Sequence, residues 1–180
     1  MKKLVLLAVV VFGFAATSFA QTLTANSIAT ILPAITIQKN ADLDFGGLYS
    51  LSATLGADIL LPAQAGAVRT SGDPTKVALQ PGNSAGAAKF TITGVPGTTA
   101  HVAQLVNLDT PNNAILTNET TPGATMELSF YQLPGTVTSF TFDASGQFSF
   151  YVGGKLHVNG GQAVGRYSNN NSLAITVSHP

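Results

Sequence analysis

The sequence predicts an all-β protein, an immunoglobulin-like sandwich of two antiparallel sheets with about nine or ten strands. No stretch of a dozen residues carries apolar side chains at helical spacing without an interrupting Gly or Pro. Short segments rich in β-branched and aromatic residues recur instead, at intervals of roughly 8–12 residues. The chain of 180 residues also contains 18 Gly and 9 Pro, as expected where many turns connect short strands.

The first twenty residues have the pattern of a secretory signal peptide. Met1-Lys2-Lys3 is a short positive segment, residues 4–16 are apolar or small, and Ser18-Phe19-Ala20 offers a cleavage site. The apolar run is short for a membrane span and no second run follows; an anchor helix that stays attached is the alternative. We expect residues 1–20 to be removed, residues 21–180 to form a single domain, and the protein to be exported to the periplasm, the outer surface or the extracellular space.

Several segments of the remaining chain predict strands. In chain order they are Ile28–Ile37, Lys76–Gln80, Lys89–Thr93, Ala100–Val106, Thr125–Leu133 and Ser172–Ser178. Pro33 interrupts the first segment and predicts an edge, a bulge or a switch between sheets there. Pro81-Gly82-Asn83 predicts a turn after the second segment. The loosest stretch, residues 62–75, predicts a loop and not a domain boundary, since neither side alone would retain a full sandwich.

The strongest local pattern, Ser139–Val152, predicts a hairpin with an aromatic inner face. Four phenylalanines alternate with small and polar residues on both sides of Asp143-Ala144-Ser145-Gly146, namely Phe140, Phe142, Phe148 and Phe150. Asp favours the start of such a turn and Gly its positive-φ position. We expect the four rings to lie in the middle of the core. They share one face only if the loop has five residues or a bulge lies near Gly146.

Charge and cysteine content narrow the functional classes. Of 8 Lys and Arg residues, Lys2 and Lys3 belong to the signal, so 6 remain against 8 acidic residues, a net charge of −2. This balance argues against a nucleic-acid binder, which needs a basic face. The chain has no Cys, which excludes disulfides and argues against a structural zinc site. Stability must therefore come from a buried core.

Few residues suggest a metal site. His101 and His157 fall in strand-like segments without a carboxylate or second histidine nearby in sequence, and His179 is penultimate. We interpret the first two as solvent-facing strand residues, because metal binding would need a partner brought close by the fold. Asp42 and Asp44 begin like a calcium loop, but the later ligands are missing. We interpret them as turn-capping residues, with a looser calcium site between strands as the alternative.

Enzyme signatures are also missing. There is no Gly-x-Ser-x-Gly elbow, and a carboxylate pair would have to draw on the two glutamates, Glu119 and Glu127, or the few aspartates. Gly153-Gly154-Lys155 lacks the spacing of a phosphate-binding loop and predicts a bulge or tight bend in a strand. The chain has no Trp for stacking on sugars, and its tyrosines lie in or beside strands: Tyr49, Tyr131, Tyr151 and Tyr167. We predict a protein that is not an enzyme, with no catalytic residue, cofactor or bound metal.

Three segments carry a resemblance to a known family. They are Ala41–Gly46, Phe90–Thr99, and Phe150–Val158 with Gln162–Ser168. Together they resemble the DUF4402 family of exported bacterial domains of unknown function, which resemble fimbrial and adhesin sandwich domains. The resemblance spans roughly residues 24–178 and implies a surface or secreted location with a structural or adhesive role. One departure is Asn169-Asn170-Asn171, which predicts a longer turn before the last strand.

The functional prediction is a non-enzymatic secreted or cell-surface structural or adhesive protein, and a candidate subunit of a fimbria-like filament. Thr22–Asn26 alternates like a strand, which we interpret as the first strand of its own sheet because the last strand, Ser172–Ser178, is also complete; pairing with the open edge of a neighbouring copy is the alternative. The alternative function is a monomeric surface module that binds a glycan or a protein. Expected partners are a second copy, other surface proteins or glycans, but neither nucleic acid nor a membrane span after signal removal.

Overall fold

The computed structural model describes residues 25–26, 28–31, 34–82, 84–106, 113–132, 139–170 and 173–178. Every strand described lies in the compact unit that begins at Pro33. Regular structure in the described part of the chain consists of β-strands, all paired antiparallel. The predicted all-β class is therefore confirmed, whereas its immunoglobulin-like layout stays a prediction.

Thirteen strands are found within the described ranges. They are β1 Thr36–Ala41, β2 Leu48–Ser50, β3 Ala57–Leu61, β4 Thr70–Ser71, β5 Val77–Leu79, β6 Ala88–Thr93, β7 Thr99–Val106, β8 Asn113–Asn118, β9 Thr125–Gln132, β10 Phe140–Thr141, β11 Gln147–Val158, β12 Tyr167–Ser168 and β13 Ala174–Ser178. The number exceeds the predicted nine or ten by the three strands of only two residues, β4, β10 and β12.

Most predicted strands are present with ends shifted by one or two residues, as β5, β6, β7, β9 and β13 show. The first strand is the exception. Residues 28–31 carry no strand, and β1 begins only at Thr36, beyond the predicted interruption at Pro33, which lies outside the described residues. The structure also contains β3 and β8, for which no strand was predicted.

One large sheet of eight strands is organised around β11. The first half of β11 pairs with β6, and its second half pairs with β3 on the same side. On its other side β11 pairs with β9, followed by β8 and β12. β1 lies beyond β6, and β4 lies beyond β3. The twelve-residue β11 therefore joins two half-sheets. One contains its first half with β6 and β1, and the other contains its second half with β3 and β4.

The change of partner occurs at Gly153. Val152 is the last residue paired with β6, and Gly154 is the first paired with β3. A Cβ atom at Gly153 would lie 2.2 Å from the carbonyl oxygen of Leu61 and 2.7 Å from the backbone nitrogen of Ala63. The register with β9 continues without a shift through both glycines, which contradicts a bulge; a tight bend, the other form of the prediction, stays a prediction. Glycine is needed here because another backbone passes too close for a side chain.

Two small sheets cover the large sheet, each over its own core. The first core joins β3, β8, β9 and the second half of β11 to the two-stranded sheet of β2 and β5. The second core joins β6 and the first half of β11 to the three-stranded sheet of β10, β7 and β13. This layering of sheet on sheet is the sandwich that the sequence predicts.

The aromatic segment does not form the predicted hairpin. β10 pairs with β7, and β11 pairs with β6, so the chain passes from one sheet to the other at the turn between them. The turn itself is as predicted. Gly146 has a φ of 73°, and the Asp143 carboxylate accepts hydrogen bonds from the backbone of Ser145 at 2.9 Å and Gln147 at 2.8 Å. The four rings also gather in the second core or against its edge, as expected.

The predicted loop at residues 62–75 contains β4 and is fixed by a buried arginine. Arg69 is only 7% exposed, and its guanidinium donates hydrogen bonds to three backbone carbonyls. These carbonyls belong to Phe45, to Gly47 at 2.9 Å and to Gln80 at 2.8 Å. The arginine thereby ties this loop to the residues that precede β2 and to the residue that follows β5.

Among the described residues, no helix has the length and apolar character needed to cross a membrane.

Candidate functional site

Polar side chains gather on the outer face of the large sheet, where the second half of β11 lies between β3 and β9. Lys155 and His157 point outward because Leu156 and Val158, which alternate with them, are buried in the first core. Register places Lys155 opposite Ser129 and places His157 between Asp58 and Glu127. These five residues, here called the polar cluster, line an open cavity of about 200 Å³: Asp58, Glu127, Ser129, Lys155 and His157.

Asp58 organises one side of the polar cluster. Its carboxylate lies 2.6 Å from Nδ1 of His157 and 3.5 Å from Nζ of Lys155. The hydrogen bond with His157, reinforced by the charge of Lys155, holds the pKa of Asp58 below its ordinary value despite partial burial. Asp58 is therefore ionised at neutral pH. With Nδ1 of His157 engaged, Nε2 has no hydrogen bond to any described residue.

Asn113 on β8 organises the other side. Its amide nitrogen donates to Oε1 of Glu127, and its amide oxygen accepts a 2.6 Å hydrogen bond from the Ser129 hydroxyl. These bonds fix the glutamate and the serine next to each other on β9. Within the described part of the chain, Oε2 of Glu127 is left without a hydrogen bond. The arrangement therefore presents positioned donors and acceptors to solvent.

A second, chemically different surface lies on the outer face of the other half-sheet. Six uncharged polar side chains form two rows across three strands: Thr36, Thr93 and Gln147 in one row, and Gln38, Thr91 and Ser149 in the next. We call these six residues the neutral face, and Lys89 lies in the row that follows on the same face. The Thr91 hydroxyl donates a 2.7 Å hydrogen bond to Asn40 and lies 2.9 Å from the Ser149 hydroxyl. One of these contacts joins neighbours within the second row, and the other reaches Asn40 on β1.

Two strands of five or more residues form sheet edges in the described chain. β1 pairs only with β6, and β13 pairs only with β7. β1 carries Lys39, which contacts Asp42 at 2.5 Å, and its register with β6 shifts after this lysine. A lysine and an irregular register both discourage pairing with another chain. β13 contains no charged residue, so its edge is the less protected of the two.

The histidines and aspartates singled out from the sequence have different environments. His157 is solvent-facing as predicted, with 48% of its side chain exposed, but the fold gives it a carboxylate partner. His101 is half-buried on β7, and His179 lies outside the described residues. Asp44 caps a turn as predicted, since its carboxylate accepts a 2.7 Å hydrogen bond from the nitrogen of Gly46. No group of three metal-ligating side chains is found among the described residues.

The glutamates and tyrosines singled out from the sequence lie in different environments and do not form one site among the described side chains. Glu127 belongs to the polar cluster, whereas Glu119 pairs with Arg166 at 2.9 Å. Tyr49 is half-exposed on β2. The hydroxyl of Tyr167 donates to the backbone of Ala163 at 2.7 Å, and Tyr151 is half-buried against the first core. Tyr131 lies in β9, and its side chain falls outside the part that the structure describes.

Sequence reasoning missed Asp58, a member of the polar cluster, and Asn113, which supports Glu127 and Ser129 from β8. Both lie on strands that were not predicted, and Asp58 is 99 residues from its partner His157. One signal was available for Asp58. It sits between Ala57 and Ile59 in a segment whose alternate residues are buried, which places its side chain on the outer face.

Comparison with known proteins gives one match. The family model described as "Domain of unknown function (DUF4402)" matches residues 35–178, which include every strand described here. No curated protein shows significant similarity to the chain, and no solved structure does.

Proposed function

The chain belongs to the DUF4402 family, and from this premise we propose a non-enzymatic, exported protein of the bacterial surface with a structural or adhesive role. In this proposal the protein is a subunit of a fimbria-like filament or a similar array. The neutral face is the observation that carries the proposal. The signal-like residues 1–20 support export.

The neutral face suits contact between protein surfaces. Charged residues are depleted at the centre of protein interfaces because burying an unpaired ion is costly. Neighbouring strands lie about 4.8 Å apart and alternate side chains about 6.8 Å apart, so Thr, Ser and Gln form a regular set of donors and acceptors. A partner that stays on these two rows can exchange hydrogen bonds without desolvating a charge; Lys89 lies in the next row of the same face.

The edge of β13 offers a second route to assembly. An extended segment from another chain can add to an exposed strand through backbone hydrogen bonds. β13 carries no charged side chain to oppose this. Thr22–Asn26 has the alternating sequence of a strand that could be donated; most of it lies outside the described residues.

Light scattering on the purified protein over a wide concentration range tests the assembly function. We expect growth into larger species, and we expect the double variant Thr93→Lys, Ser149→Lys to suppress it, because both substitutions place charge on exposed positions of the neutral face. Thr125→Lys is the matched control, since Thr125 is an exposed threonine on β9 of the same sheet. A monomer at every concentration contradicts self-assembly.

A monomeric binding module is the second proposed function, and the polar cluster favours it. A surface that served only for solubility would not need a carboxylate, an ammonium, an imidazole and a hydroxyl around one cavity, each oriented by a neighbour. In this alternative the protein recognises a glycan or a protein partner at the cell surface. Loss of partner binding on substitution of the polar cluster, with assembly unchanged, would distinguish the two functions.

A further inference from the structure

We propose that the polar cluster binds a neutral carbohydrate, and that it does so through two adjacent hydroxyl groups of one sugar ring. The inference rests on the binding function proposed above and is independent of the assembly function. It is carried by the charges of the cluster, by its free donors and acceptors, and by the size of its cavity.

The charges of the cluster disfavour anionic ligands. An anion approaching Lys155 meets the carboxylates of Asp58 and Glu127, which line the same cavity. The Lys155 ammonium, 3.5 Å from Asp58, largely compensates that carboxylate, and Glu127 leaves one negative charge. The described residues of the cluster contain no group of three side chains that could hold a metal ion. We therefore take an uncharged polar ligand, which donates a hydrogen bond to Glu127, as the proposed occupant.

The free hydrogen-bonding groups match a pair of hydroxyls. Each hydroxyl both donates and accepts a hydrogen bond. Oε2 of Glu127 is free to accept, and the Lys155 ammonium has three protons, with a single 3.5 Å contact to Asp58. One hydroxyl can donate to the glutamate while the adjacent hydroxyl accepts from the lysine. Both hydrogen bonds involve a charged group and are therefore stronger than bonds between neutral groups.

The cluster is also organised before a ligand arrives. Asn113 holds Glu127 and Ser129, and Asp58 holds His157. Side chains fixed in this way lose little rotational freedom on binding, which lowers the cost of association. All of these bonds connect different strands of the large sheet, so the backbone fixes the site as well.

The cavity limits the ligand to one ring. Its volume of about 200 Å³ lies below the roughly 300–1,000 Å³ typical of sites for drug-sized ligands. The side chains of Asp58, Lys155 and His157 remain 44–49% exposed, so one side of a bound ring stays in solvent. We expect an affinity on the order of 1 mM for a free monosaccharide.

Backbone amide NMR titration of the purified protein with glucose, galactose and mannose tests the proposal. Inorganic phosphate and calcium serve as charged probes. We expect saturable shifts at residues 127–129 and 155–157 with at least one sugar, and none there with phosphate or calcium. Glu127→Gln should weaken sugar binding about tenfold, since it removes the charge of the acceptor.

Glu119→Gln is the matched control, because Glu119 is a surface glutamate paired with Arg166 away from the polar cluster. It should bind sugar with unchanged affinity. Lys155→Met provides a second site variant with the same expected loss, and the amide spectrum of each variant reports whether it is folded.

Three results would overturn the inference: no saturable shift with any of the sugars, equal affinity of the native protein and both site variants, or binding of phosphate or calcium in place of sugar. The last result would refute the carbohydrate while leaving a binding function at this site. Light scattering on the same samples reports self-assembly separately, so a failure here does not count against the assembly function.

Discussion

The rings of Phe140 on β10 and Phe148 on β11 stack with their centroids 4.2 Å apart and their planes 15° from parallel. Phe140 belongs to the three-stranded sheet and Phe148 to the large sheet. Phe142 meets Phe140 edge to face at 5.2 Å, and Phe150 lies 6.3 Å from Phe148. The aromatic residues therefore join the two layers of the sandwich across the second core.

We predict that this stack contributes to stability as a coupled pair. Phe140→Ala should lower the free energy of unfolding by about 3–5 kcal/mol, because it empties a buried site. A double-mutant cycle with Phe148→Ala should give a coupling energy of about 1 kcal/mol beyond the area that each ring buries. Urea unfolding of the four proteins measures it. Strictly additive losses would show that the two rings do not stabilise each other.

Gly153 should not tolerate even the smallest side chain. The Cβ of Gly153→Ala would lie 2.2–2.8 Å from backbone atoms of Leu61, Pro62 and Ala63, none of which can rotate away. We expect a loss of about 2–3 kcal/mol in unfolding free energy, as for overpacking elsewhere in proteins. Gly86→Ala is the control, because a Cβ there would meet nothing within 4 Å. Equal stability of the two variants would contradict the proposed close approach.

Arg69 should be essential for stability in spite of its charge. Arg69→Met removes the donors for three backbone carbonyls at a position only 7% exposed. Hydrogen bonds to a charged group each contribute about 1.5–3 kcal/mol net to stability, and burial of the Arg69 charge offsets part of their sum. We therefore expect a loss of about 3 kcal/mol in the free energy of chemical unfolding. Arg166→Met should change stability by less than about 0.5 kcal/mol, because its side chain is 78% exposed in a surface ion pair. An unchanged unfolding free energy in Arg69→Met would contradict the stabilising role of these three hydrogen bonds.

The interaction between Asp58 and His157 should make the free energy of unfolding depend on pH in the acid range. The pKa of Asp58 in the folded protein lies below its ordinary value of 3.8, chiefly because of the hydrogen bond from His157. Its contribution is therefore complete above pH 3.8 and is lost as the pH falls through the lowered folded value. We expect Asp58→Asn to reduce the melting temperature at neutral pH, and the difference from the native protein to shrink under acid. A difference that is constant with pH would contradict this linkage.

Asp73, which is not a member of the polar cluster, provides a second check on the same behaviour. Hydrogen bonds from Thr75 and then Lys76 lower the pKa of Asp73 to about 2. Its stabilising effect should be present above pH 3.8 and be lost as the pH falls through about 2. NMR titration of the side-chain carboxyl carbons would give both pKa values directly. A pKa near 3.8 for Asp73 would show that these hydrogen bonds do not persist in solution.

The accuracy of the sequence predictions depends on how local each feature is. Alternation along Ser139–Val152 correctly predicted that the phenylalanines pack together. The face of the sheet to which each side chain points is decided within its own strand. The same alternation wrongly predicted that the two halves pair with each other. A hairpin and a chain that crosses between sheets have the same inward-facing pattern, and only the remaining strands decide between them.

The polar cluster shows the same limit more strongly. His157 was correctly predicted to face solvent, yet its partner Asp58 lies 99 residues earlier, on β3, which was not predicted as a strand. The role of Gly153 was equally hidden, since Gly153-Gly154 suggested a bulge. The actual constraint is the backbone of Leu61–Ala63, which approaches from far away in sequence. Pairings at such separation are set by the whole topology and leave no local signal.

The position of β11 in the chain has a consequence for how the protein acquires its structure. β3, β6 and β9 all depend on this strand for one of their two neighbours, yet β11 spans residues 147–158 of 180. A nascent chain that has not reached this point carries three strands with unsatisfied edges and cannot close either core. Such non-local topologies fold slowly, and the large sheet can be completed only after nearly the whole polypeptide is available. Truncation before residue 147 should leave no stable intermediate.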